Sequence, residues 1–215
     1  MSTRILDIKD LSVGFGARTF ADGIDAVYYV AQENYPIEFA EMEFGVEIEA
    51  FGIHRDSGGA GRYRGGCGIV RDVRVLSDRA ELGIRLDNCT QPAFGVYGGL
   101  SGRAGRVIVN PGPEEWDIAT MSDGNRLKKG DLVRIITPGG GGWGHPADRP
   151  AGDVLADVLD GFVSEDAALR DYGVVLAGDE VDEKATARRR AAMARTDKMF
   201  HRGRHYDAAE DRLDA

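Results

Sequence analysis

Apolar and polar residues alternate most cleanly from Ala80 to Asp87, with Ala80, Leu82, Ile84 and Leu86 opposite Glu81, Gly83, Arg85 and Asp87. A period of two over that length marks a strand with one wet face. The same pattern sets Val46, Ile48 and Ala50 against Glu47 and Glu49, inside a long strand or hairpin predicted from Ile37 to Phe51. Short runs rich in β-branched residues predict further strands at Ile24–Val30, Ile69–Leu76, Arg106–Asn110 and Asp131–Ile136. After the last of these the period changes: Val154, Leu155, Val158, Leu159 and Phe162 fall at helical spacing. A helix is predicted from about Gly152 to Asp160, with Gly161 in the C′ position. Ser164 caps a second helix, whose first turn holds Glu165 and Asp166 where the helix dipole favours acids. Gly173 ends it, and Val174–Leu176 is a short extended piece. Residues 182–200 predict a charged helix with only alanines, Met193, Met199 and Phe200 to bury, which suits packing on a partner.

These patterns specify a mainly β (α+β) protein: an antiparallel β-sandwich or barrel followed by small C-terminal helices. The divisions are a lead-in over 1–23, a glycine-rich β domain over 24–146, a short helical segment over 147–180 and a charged helical tail over 181–215.

Composition narrows the partners. With 36 acidic and 27 basic residues the net charge is −9, the wrong sign for a nucleic-acid surface. No apolar run approaches the ~20 residues that cross a bilayer, and Met1–Asp7 has no signal-peptide core. Cys67 and Cys89 lie near no cysteine or histidine that would complete a zinc signature, and two cysteines make no disulfide scaffold. Both are expected to be reduced thiols in a cytoplasmic protein. His201 and His205 are four apart, but Gly203 separates them and no third ligand accompanies them, so no metal site is assigned.

Glycine changes the picture most, at 30 of 215 residues, about twice the usual share. One concentration, Thr137-Pro138-Gly139-Gly140-Gly141-Gly142-Trp143-Gly144-His145-Pro146, joins the last strand to the helices. It is not a phosphate-binding P-loop, because Trp143-Gly144-His145 stands where Lys-Ser/Thr should follow. Two readings stay open: a tight turn that seats Trp143 in the core, or a cradle of backbone amides for an anion or carbonyl. If Gly139–Gly142 approach a ligand, Gly141→Val is expected to spare folding and to cost turnover at least about tenfold. The other concentration runs from His54 to Gly68 and holds Arg55, Asp56, Ser57, Gly58, Gly59, Arg62 and Arg64. Its charges either bind an anionic group or pair to pin the loop. Ser57 lacks the glycine spacing of a nucleophile elbow. His54 and His145 each abut a glycine loop and would meet if the loops shared one end of the sheet. Residue chemistry alone names no catalytic residue.

Four blocks together resemble the hydantoinase B/oxoprolinase family: Asp56–Gly66, Gly102–Gly112, Leu127–Gly144 and Arg170–Val175. Their order and rough spacing agree with it, as do Asp22–Ala26 and Asn34–Glu38, so that the likeness covers about residues 12–180. The resemblance implies an ATP-dependent complex in which one component phosphorylates a carbonyl or amide oxygen. The other completes hydrolysis of a cyclic amide or, in relatives, carboxylation of a ketone. It also implies that these blocks form the C-terminal part of a longer protein. The partners would then be a hydantoinase A-type subunit and a chain supplying the N-terminal part, in a hetero-oligomer. ATP and a divalent metal are expected in those partners, with none bound by this chain alone. Site candidates are Arg55, Asp56, Ser57, Gly58, Gly59, Arg64, Gly139, Gly140, Gly141, Gly142, Trp143 and His145, lining or supporting the site. His145 stands where relatives tend to carry Asp.

Overall fold

A computed structural model describes Asp22, Gly23, Asp25 and residues 36–196 and 199–203. Apart from those three early residues, the lead-in and the strand expected at Ile24–Val30 lie outside the described residues, as does His205.

The chain is α+β with open, antiparallel sheets, so it takes the sandwich alternative and not the barrel. Helix α1 (Ile37–Phe44) comes first, where a strand was expected. The run Glu38–Phe44 consists largely of good helix formers. Pro36 starts it and Gly45 ends it in the left-handed region at φ 58°, so strand alternation begins only at Val46. Strands β1 (Val46–Ile53) and β2 (Ile69–Val75) pair antiparallel, with an irregularity between Ile48 and Ala50. Then follow β3 (Ala80–Arg85), β4 (Gly95–Val96), β5 (Arg106–Val109), β6 (Trp116–Asp117), β7 (Met121–Leu127) and β8 (Leu132–Ile136). The main sheet has the order β1-β2-β8-β5-β6, and β3 pairs with β7 as a second layer. Between the layers lie Val75, Ile84, Val107, Val109, Ile118, Leu127 and Val133.

Helices α2 (Ala151–Leu159) and α3 (Glu165–Asp171) enclose a second core with Ala60, Val154, Val163, Ala168, Tyr172 and Val174. Gly161 takes φ +82° after α2, and the Ser164 hydroxyl accepts the Ala167 N–H at the start of α3. The charged helix is shorter than expected: α4 (Glu183–Ala191) stops well before residue 200. It lies on its own chain, where Thr186 is buried and accepts the Val175 N–H while Arg190 donates to the Tyr172 carbonyl. With no apolar stripe to continue it, the chain returns as β9 (Phe200–His201), paired with β4. The edge-on rings of Phe94 and Phe200 accompany that pairing.

Candidate functional site

The two glycine concentrations meet between the two cores, and they meet as bare backbone. None of Gly139–Gly142 has a positive φ; only Gly144, at +72°, needs one. Their requirement is close approach. A Cβ on Gly139 would strike the Ser57 carbonyl, one on Gly141 the Phe94 carbonyl and one on Gly142 the Ala60 carbonyl. A Cβ on Gly58 would meet the Gly65 carbonyl, and one on Gly59 the Leu100 carbonyl.

Most amides of this layer are already used. Gly139 N–H donates to Arg103 O (3.0 Å), Gly140 to Gly66 O (2.8 Å) and Gly142 to Leu100 O (2.9 Å). Gly59 donates to Gly140 O at 2.8 Å. An anion cradle built from these N–H groups would have to break the layer first. Trp143 is half-buried, not seated in a core. It exchanges backbone bonds with Tyr63 (2.9 and 3.0 Å), and its ring lies 5.6 Å from that of Tyr63 and 5.8 Å from that of Tyr97.

The charged candidates of the first loop are likewise engaged within the chain. Asp56, at φ 61°, accepts the Ser164 N–H at 2.7 Å, and Arg55 Nε donates to Gly161 O at 3.1 Å. Both pin the α2–α3 connection. Ser57 is fully buried; its hydroxyl donates to His54 O and accepts from Gly68 N–H. His145 accepts the Ala147 N–H on Nδ1, capping the short 3-10 turn Pro146–Asp148. Its Nε2 then carries the proton and donates to Ala194 O at 3.1 Å. His54 takes other neighbours, with its backbone N–H on Gly68 O; burial pushes its imidazole pKa down. The bonds of the two histidines thus run to separate segments, and the buried Nδ1 of His54 has no hydrogen-bond partner among the described residues.

Arg64 opens a feature that the sequence concealed. It is buried and pairs bidentately with Asp25 (2.8 and 3.1 Å), while its Nε lies 3.4 Å from Asp157. Arg149, also buried, grips Asp22 at 2.6 and 2.8 Å and the other oxygen of Asp157 at 2.8 Å. Three carboxylates thus share two guanidiniums. Burial would lower the Arg64 pKa, but Asp25 and Asp157 outweigh it and raise it. Burial pushes Asp157 up despite both arginines, with Asp22 adding to the rise. The Tyr172 hydroxyl is buried beside this network, and burial raises its pKa. Asp157 had one legible signal: it shares the apolar face of α2 with Val154 and Val158.

A cleft of about 340 Å³ borders the network, lined by Asp22, Arg62, Tyr63, Asp148, Arg149, Pro150 and Asp153. Arg149 is taken by Asp22 and Asp157, and Asp148 by Arg195 at 2.7 Å. Among the described residues no group of three or more His, Cys, Asp or Glu is placed to hold a metal. The acids that do cluster are already bound by guanidiniums, so this chain's described residues do not fit the divalent ion that the resemblance puts in a partner. Cys67 is buried beside Arg64, and burial raises its thiol pKa.

The hydantoinase B/oxoprolinase family matches residues 4–146. The chain belongs to that family. This hydantoinase B-type chain is 35% identical over 188 residues to the beta chain of the caprolactamase of Pseudomonas jessenii, covering 83% of this chain and 32% of that protein. It is 30% identical over 186 residues to the B component of a putative D-/L-hydantoinase of a Pseudomonas species, covering 84% and 31%. An uncharacterized protein of Methanocaldococcus jannaschii is 40% identical over 149 residues, covering 69% and 26%. The chain therefore spans about a third or less of the relatives' length. The crystal structure of the ATP-dependent caprolactamase from Pseudomonas jessenii superimposes with a TM-score of 0.61 at 33% identity, over 73% of this chain and 28% of that one. A nucleotide-free acetone carboxylase shares the fold, with a TM-score of 0.59 at 23% identity over 90% of this chain and 29% of that one.

Proposed function

We propose that this chain works as the C-terminal portion of the B-type component of an ATP-dependent complex that hydrolyses a cyclic amide of the hydantoin, oxoproline or lactam kind. The observation that carries this is the likeness to caprolactamase in both sequence and fold. Amide resonance makes the ring carbonyl a poor electrophile. Phosphorylation of its oxygen by a hydantoinase A-type partner makes that carbon electrophilic. Water adds to it, the C–N bond breaks as the ring nitrogen takes up a proton, and the acyl phosphate left behind is hydrolysed to carboxylate and phosphate. This chain's role is to hold the site's walls rather than to react, because its candidate side chains are already committed: Asp56 to Ser164, Ser57 to His54 and Gly68, Arg64 to Asp25 and Asp157. The complex operates in the cytoplasm, where ATP is supplied and Cys67 and Cys89 remain thiols.

The test is reconstitution. The chain is combined with a hydantoinase A-type partner and the polypeptide corresponding to the rest of a B-type protein. Hydantoin, 5-oxoproline and caprolactam are offered with ATP, and ring opening is followed together with ADP release. ATP-dependent opening that disappears when this chain is omitted supports the reading. Turnover only of a ketone with bicarbonate would move the complex to the carboxylase class. A complex that turns over none of these would refute both.

A further inference from the structure

The outer edge of β1 is half protected and half open. In its first half, Glu41 of α1 reaches across and accepts the Ile48 N–H at 2.9 Å. Past the irregularity that protection ends. His54 donates to Gly68 O, so the alternation of an antiparallel ladder turns the N–H and C=O groups of Phe51 and Ile53 away from β2. Among the described residues no strand lies on that side. All four residues from Ala50 to Ile53 are exposed, although successive side chains point to opposite faces, and the Phe51 ring is covered in part by the Arg71 guanidinium, 4.9 Å from its centre. Phe51 is 47% exposed and Ile53 38%. Along the first half of β1, α1 buries none of its residues and leaves Met42 83% exposed.

A free-standing protein blunts such an edge with charge, proline or a covering element. Here the unit corresponds to only 28% of the caprolactamase chain that it resembles, so much of the polypeptide able to cover it lies in the portion that this chain does not span. We propose that the Ala50–Ile53 edge and the exposed apolar residues of α1 form the docking surface for that remaining portion of the B-type protein. An extended segment of it adds as a strand beside Phe51–Ile53, and its apolar side chains cover Met42 and Phe51. Glu38, Glu43 and Glu47 are exposed around the patch, so the incoming segment carries basic residues at its rim. This rests on the assembly proposed above and assigns the face that it uses.

Hydrogen exchange and binding test it. The probe is the native source's polypeptide for the unspanned portion, mixed with this chain. The Phe51 and Ile53 amides should exchange rapidly in the chain alone and at least tenfold more slowly in the complex. Phe51→Glu and, separately, Met42→Glu should weaken binding at least tenfold while the chain alone keeps its melting temperature. Met121→Glu, at a 68% exposed position on β7, should bind as the parent does. If Phe51→Glu fails to fold, the Met42→Glu affinity and the exchange data still decide. A complex that forms without protecting these amides, or that tolerates both substitutions, overturns this surface and leaves the assembly standing. Protection already present in the chain alone, or a homodimer that Phe51→Glu dissociates while partner binding is unchanged, overturns it too. If no complex forms, both inferences fall.

Discussion

Gly141→Ala is the sharpest probe of what the glycine layer does. A methyl group at this position would overlap the Phe94 carbonyl and lie 3.1 Å from Gly95 N. Neither obstacle is the end of a flexible side chain. The segment Phe94–Val96 is tied on both flanks, by Val96 N–H to Gly142 O at 2.9 Å and Gly102 N–H to Ala93 O at 3.0 Å. Making room loses those two bonds, each worth about 1 kcal/mol net, and adds overpacking strain of about 1–3 kcal/mol. The expected loss is about 3–5 kcal/mol. For a domain of this size that is roughly a 10 °C fall in melting temperature. Gly152→Ala is the control: nothing stands within 4 Å of its Cβ, it is exposed in α2, and alanine there adds up to about 1 kcal/mol of helix propensity. Thermal unfolding of both variants, alone and in complex, reads the difference. Gly141→Val should be worse than alanine, opposite to what a ligand cradle would give. A Gly141→Ala protein melting within about 2 °C of the parent would refute the packing argument.

Other outcomes follow from the same contacts. Arg64→Ala leaves buried Asp157 with Arg149 alone and half-buried Asp25 with the Cys67 N–H, and should cost about 3 kcal/mol, the low end for a broken buried pair, read as a lowered denaturation midpoint. Burial opposes ionisation of Asp25, but Arg64 and the Cys67 N–H outweigh it and hold its pKa below the ordinary value. The stability Asp25 contributes is therefore fully present above about pH 4 and lost as pH falls through its depressed value; Asp25→Asn should flatten the acid limb of a stability–pH curve, and an unchanged limb would contradict this. His145→Ala should lose about 1 kcal/mol through its cap with turnover of the reconstituted complex unchanged; a large kcat loss at normal stability would return His145 to the chemistry. Iodoacetamide should leave Cys67 unlabelled in the native chain and label the half-buried Cys89 first, which mass spectrometry of the modified peptides resolves.

How far the sequence revealed this structure depended on whether a signal was local. Ala80–Leu86 alternates because one face of β3 meets the sandwich core through Ile84, so that strand was plain. Ser164 and Gly161 announced helix ends through cap chemistry that needs no distant partner. Strand β7, Met121-Ser122-Asp123-Gly124-Asn125-Arg126-Leu127, carries no alternation, because only its Leu127 is buried and its pairing with β3 holds the rest. The run Ile37–Phe44 misled because its apolar residues are exposed, so their spacing recorded no buried face. Arg64 was visible as a charge in a glycine loop, but its partners come from Asp25, 39 residues earlier, and Asp157, 93 residues later. No spacing rule connects those positions. The resemblance to the family, by contrast, used the glycine blocks as a whole and needed no account of what each residue touches.

The glycine excess becomes intelligible once both cores are considered. Sandwich and helices each have an apolar interior, but the layer between them has backbone groups where side chains would ordinarily pack. Cohesion there comes from hydrogen bonds such as Gly59 to Gly140, Leu100 to Ala60 and Arg103 to Ser57. Such bonds fix relative position more tightly than apolar contacts do, because they weaken steeply with misalignment. The aromatic rings of Tyr63, Trp143 and Tyr97 close one end of the layer, and the Arg64–Asp157–Arg149 network lies beneath the neighbouring loop. A loop held this way has little freedom to close over a ligand, since the amides of Gly139, Gly140, Gly142 and Gly144 are already structural donors. The stiffness suits a surface against which a larger assembly positions its reacting groups. It follows that substitutions inside the layer should act through stability, whereas substitutions on the open β1 edge should act through assembly, and the two classes are separable by measuring melting and binding on the same variants.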